Sequence, residues 1–128
     1  MRTGFLMTAL LLLAAPAQAA DHPRSTYVTL VLQAFAAKVE CPGTDVAYQD
    51  LVQKAEQMQL PEGTTEKVRK GIAYMHTGGK MGELQTPDLM SEVALATKTI
   101  DMDQKRTGVP AWCEAQKSKL AGFIRVKN

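Results

Sequence analysis

Apolar residues along this chain recur every three to four positions, and each run is cut short by proline or glycine. In the first run Val28, Val31, Leu32, Phe35 and Val39 stand at i, i+3, i+4, i+7 and i+11, the spacing of one helix face. Ser25 or Thr26 offers a cap, and Pro42 with Gly43 ends the run near Cys41, because proline disfavours helical geometry in the residue before it. Thr44 or Asp45 is positioned to cap a second helix carrying Ala47, Leu51, Ala55 and Met58, which stops at Leu60-Pro61-Glu62-Gly63. A third starts at Thr64 or Thr65, aligns Val68, Ile72 and Met75, and ends at Gly78-Gly79 with His76 near its carboxyl end. Thr86-Pro87-Asp88 is the clearest start: a capping hydroxyl, a proline where the missing N–H costs nothing, and an acid at the positive end of the dipole. That helix places Leu89, Val93, Ala96 and Ile100 on one face and breaks at Gly108-Val109-Pro110. A last one, from about 111 to 123, presents Trp112, Cys113, Gln116, Leu120, Phe123 and Ile124. Only the Gly78 to Gln85 connection is long, so sequential helices should pack as antiparallel neighbours. The expected fold is all-α, a single small bundle of about five short antiparallel helices.

The first residues read differently. Arg2 precedes an uncharged apolar stretch from Phe5 to Ala15, and Ala17-Gln18-Ala19 has the small-x-small form of a signal-peptidase site. Residues 1–19 are therefore expected to be a cleaved secretory leader and 20–128 the single helical domain, exported to a bacterial periplasm. No cysteine follows the leader to accept lipid, so no stable membrane anchor is expected. In an oxidising compartment two cysteines pair, and Cys41 and Cys113 are expected to form a disulfide. Neither belongs to a C-x-x-C redox motif. Valine, isoleucine, leucine and phenylalanine are sparse for a globular domain, so the core must lean on alanine and methionine, with Trp112 as an anchor beside the disulfide.

Charge excludes a partner class. The net charge is +2, with acids and bases interspersed from Asp45 to Lys119, and such a surface has no field to attract nucleic acid. Lys117, Lys119, Arg125 and Lys127 around Leu120, Phe123 and Ile124 make the last segment mildly basic and amphipathic; covering the core accounts for its apolar residues better than lipid contact does.

Candidate chemistry is thin. Lys80 after Gly79 lacks the other residues of a phosphate-binding loop, and Asp101 and Asp103 lack the later ligands of an EF-hand. Met75, His76 and Met81, more loosely with Met58, Met90 and Met102, combine thioether and imidazole, ligands suited to cuprous copper, but most of these methionines also fit apolar stripes. His22 and His76 are the only imidazoles, Ser25, Ser91 and Ser118 sit in no nucleophile motif, and C-x-x-C-H is absent. Carboxylate pairs such as Glu62 with Glu66, or Glu83 with Asp88, would need a fixed separation in space. The expectation is a non-enzyme without cofactor or resident metal.

The exported, single-disulfide, all-helical plan is similar to that of small periplasmic acid-stress chaperones and of immunity or inhibitor proteins that neutralise envelope-targeted enzymes, a likeness of plan rather than of motif. It implies action by binding a protein partner in the envelope. On the inhibitor reading, the Gly78 to Gln85 connection supplies the surface through Lys80, Met81 and Leu84. On the chaperone reading, acid protonates the carboxylates, leaves the basic residues unopposed and exposes core helices. A third reading is soft-metal handling at Met75, His76 and Met81. No pattern encodes the oligomeric state.

Overall fold

The computed structural model describes residues 23–76 and 87–127. Within them the chain forms α1 (Pro23–Glu40), β1 (Thr44–Val46), α2 (Tyr48–Gln57), α3 (Thr64–His76), α4 (Pro87–Thr107), α5 (Val109–Lys119) and β2 (Ile124–Val126). The fold is mostly helical, five helices with one disulfide and a two-stranded sheet, as the apolar spacing requires.

α1 is the centre of the fold, and its sequence says why. No charged residue interrupts it between Arg24 and Lys38, so it has no face suited to water alone. Val28, Val31 and Leu32 are buried on the expected stripe, but Tyr27, Ala34 and Ala37 are buried as well, and α3, α4, α5 and both strands all pack against it. Its most extensive neighbour is α4. Arg24 near the start of α1 forms a two-pronged ion pair with Glu92 (2.8 and 3.0 Å), while Glu40 at its end shares a groove with Gln104. These two non-sequential helices therefore run side by side in the same direction. Gly71 of α3 lets the helices close up: a Cβ there would stand 3.3 Å from the Met90 sulfur.

A buried hydroxyl pair pins three helices together. The Tyr27 phenol donates to the Leu51 carbonyl of α2 (2.7 Å), and the Thr65 hydroxyl of α3 donates to the phenol oxygen (2.5 Å). Tyr27 is fully buried and Thr65 nearly so, hence neither can turn to water instead.

Cys41 and Cys113 are bonded, with their Cα atoms 5.7 Å apart, which ties the end of α1 to α5. Next to the bridge β1 and β2 pair antiparallel, Thr44 with Val126, Asp45 with Arg125 and Val46 with Ile124. The pairing continues on both sides: the Lys127 amide donates to the Gly43 carbonyl (2.8 Å) and the Ala47 amide to the Phe123 carbonyl (2.9 Å). Gly43 has φ +71° and would press a Cβ to 3.2 Å from the Lys127 carbonyl oxygen, so this position needs glycine on both counts.

The sheet corrects several boundaries. Thr44 and Asp45 do not cap α2; they are in β1, where the Asp45 carboxylate accepts from the Val46 amide (2.8 Å), and Ala47 takes the cap position without a side-chain bond. The last helix ends at Lys119, not near 123, because Phe123 and Ile124 turn back to meet β1. α1 begins at Pro23, placing Ser25 and Thr26 inside its first turn. α4, described from Pro87, gives way at Gly108, as the sequence punctuation indicates, and its expected cap Thr86 lies outside the described residues. Trp112 and Leu120 are buried in the core.

Candidate functional site

The faces of α1 and α4 that meet toward their carboxyl ends do not fill the space between them. Leu32, Phe35, Ala36, Val39 and Glu40 form one face of α1, Thr97, Ile100, Asp101 and Gln104 form one face of α4, and Ile72 of α3 closes the side. They enclose an open groove of about 320 Å³, the size at which small-ligand and side-chain pockets begin. Val39, placed on the core stripe by spacing alone, is instead 72% exposed at the rim. It is exposed because the face it shares with Phe35 borders the groove and not a neighbouring helix.

The polar groups of this groove are unequal. Thr97 donates to the Val93 carbonyl of its own helix (2.8 Å) and is thereby occupied. Asp101 pairs with Lys105 one turn along (3.0 Å), both well exposed. The Glu40 carboxylate forms no hydrogen bond or ion pair among the described residues. The Gln104 side-chain nitrogen is buried and has no hydrogen-bond partner among the described residues, a state that costs free energy unless something else accepts from it. The groove is thus an apolar trough with two carboxylates on its rim and one unanswered donor in its wall. The Cys41 to Cys113 bond, starting one residue after Glu40, fixes the end of its α1 wall.

A second groove, of about 490 Å³, lies between α2 and the start of α3, lined among others by Tyr48, Val52, Leu60, Pro61, Glu62 and Glu66. The Tyr48 phenol donates to Glu66 (2.9 Å), and Arg69 grips the same carboxylate from one turn on. Arg69 chiefly, with Tyr48, outweighs the partial burial of Glu66 and holds its carboxyl down at about 2. Burial first, and the adjoining Glu66 carboxylate second, push the Tyr48 phenol up. Glu62 and Glu66, considered from sequence as a carboxylate pair, do line one groove, but Glu66 is a fixed anion with the opposite bias from a proton-donating acid.

The other residues singled out from sequence fall in different places. Lys80, Met81, Leu84 and Glu83 lie outside the described residues, as do the leader and the side chains of His76 and Asp88. Met75 is half-exposed at the end of α3, away from the buried core. Asp101 and Asp103 are surface residues paired with Lys105 and Arg106. Among the described residues no group of three or more His, Cys, Asp or Glu side chains is arranged to hold a metal ion, and no helix is long and apolar enough to cross a membrane. Sequence reasoning missed the groove. A signal for it exists: α1 carries more apolar residues than its neighbours cover, leaving Val39 exposed and Phe35 and Ala36 only partly buried. No protein-family model, curated protein or solved structure matches this chain.

Proposed function

We propose that this is an exported, non-enzymatic binding protein of the inhibitor or immunity type, whose partner is a protein of the bacterial envelope and whose contact surface is the groove between α1, α3 and α4. The observation that carries the reading is that groove: an apolar trough present in the folded chain, with an exposed Val39 on its rim and an unpaired buried donor in its wall. Preformed concavities of this kind suit an anchoring side chain from a partner, and a bridge at the end of one wall lowers the ordering cost of binding. The disulfide and the lack of a membrane-crossing helix among the described residues are compatible with export. Lys80, Met81 and Leu84 form a second set of contact residues in this proposal.

The test is capture from envelope extract by tagged protein with its disulfide intact, beside Val39→Asp, a change at an exposed site that folding should tolerate. One stoichiometric partner retained by the parent and lost by Val39→Asp is the expected result. Partner capture that survives Val39→Asp but fails in Met81→Asp/Leu84→Asp would move the surface to that connection. Many weak partners appearing only at low pH would favour the acid-activated chaperone instead. A parent that captures nothing would overturn the binding reading and make metal analysis at Met75, His76 and Met81 the next step.

A further inference from the structure

Resting on that reading, we infer the chemistry of the partner: the groove takes a large aliphatic or aromatic side chain with a lysine or arginine close beside it, presented so that a backbone carbonyl reaches Gln104. Three features converge on this. The walls are Leu32, Phe35, Ile72 and Ile100 about the small Ala36, so the interior rewards an apolar anchor. Among the described residues no lysine, arginine or histidine lines the groove, while two carboxylates do.

Around the carboxyl ends of α1 and α4 the recorded ion pairs couple Lys38 to Asp45, Lys105 to Asp101 and Arg106 to Asp103. Among the described residues Glu40 is the anion left over. The pair to Asp101 is exposed and spans one helical turn, a contact weak enough to exchange for another cation. A basic residue beside the anchor would meet Glu40 and Asp101 together, whereas an acidic one would face both with like charge. The Gln104 nitrogen supplies the third element. It is a donor out of contact with water and with no acceptor among the described residues; rotation of the Gln104 side chain in the groove wall would present it to a carbonyl arriving with the anchor.

The probe is a pair of short fluorescein-labelled peptides with the same two-leucine anchor, one flanked by lysines and one by glutamates. Their binding to the disulfide-bonded protein is followed by fluorescence anisotropy, and the site by methyl shifts of Leu32, Val39, Ile72 and Ile100. The lysine peptide should bind about 5-fold more tightly than the glutamate peptide at low salt, as expected for one or two partly exposed charge contacts. Glu40→Gln should reduce that preference to about 2-fold and raised salt should erode it, while Gln104→Leu should weaken both peptides alike. Equal binding of the two peptides, a preference for glutamate, or a preference unchanged in Glu40→Gln would overturn the inference. Methyl shifts at the groove that appear on concentrating the protein alone would also overturn it, assigning the groove to a second copy of the chain. These outcomes separate from failure of the broader proposal: partner capture abolished by Val39→Asp, together with peptides that do not discriminate, refutes the charge rule and leaves the binding role standing.

Discussion

The Tyr27 and Thr65 hydroxyls give the sharpest test of how the helices are held. Tyr27→Phe removes the bond to the Leu51 carbonyl and leaves the buried Thr65 hydroxyl with no acceptor. A net hydrogen bond contributes about 1 kcal/mol and a stranded buried group costs more, so Tyr27→Phe should destabilise by about 2 kcal/mol. Thr65→Val removes only the second bond, since the phenol keeps its donation to Leu51, and should cost about 1 kcal/mol. The double variant loses the shared bond once, giving a total near 2 kcal/mol and a coupling of about 1 kcal/mol, above the roughly 0.5 kcal/mol expected of independent sites. Urea unfolding followed by the fluorescence of buried Trp112 measures all three. Burial raises the Tyr27 phenol above its ordinary value and the Thr65 bond opposes that rise, so Thr65→Val should push its titration higher still. Strict additivity in the cycle, or a Tyr27→Phe cost under about 0.5 kcal/mol, would refute the account.

Gln104→Leu should raise stability by about 1 kcal/mol, because it replaces an unanswered buried donor with an apolar side chain of similar length; a loss of stability on denaturant titration would mean that the amide is satisfied. Glu66 has its folded carboxyl lowered from 4.5 to about 2, so its contribution to stability is present above about pH 4.5 and is lost as pH falls toward 2. Its side chain is 43% exposed, so solvent screens the effect. In Glu66→Gln the acid limb of the unfolding profile should therefore flatten modestly between those values, and an unchanged profile would count against the Arg69 and Tyr48 contacts. Replacing both Cys41 and Cys113 by serine releases a loop of sequence separation 72, at a cost of about 4 kcal/mol in the chain-entropy treatment. A loss below about 1 kcal/mol in urea would show that the other contacts alone restrain the unfolded chain.

The helices were legible because their signals are local. Gly108 ends α4 where the punctuation places it, and the stripe Leu89, Val93, Ala96, Ile100 is buried as its period demands. β1 and β2 were not legible: three residues each are too short to show alternation, and their partners lie at opposite ends of the domain. The same distance misled the reading of Thr44 and Asp45, good capping residues locally but committed to a strand by Arg125 and Val126. Periodicity also could not say that α1 is surrounded, since a single stripe fits Val28 to Val39 as well as the true arrangement does. The groove was missed for the same reason. Whether Val39 is covered depends on where α3 and α4 come to rest, which the apolar spacing within α1 does not encode.

The closing of β1 by β2 has a consequence for the order of events. The cross-strand partners of Gly43 to Ala47 come from Phe123 to Lys127, and the sulfur of Cys41 is bonded to that of Cys113. A chain emerging amino end first therefore presents α1, the most apolar helix, long before anything can seal its carboxyl end. Non-local closure of this kind slows folding, because chain entropy is lost before the contacts reward it. Until β2 joins β1, the carboxyl end of α1 has neither its strand partner nor its disulfide, and the most apolar helix of the fold stays unlatched.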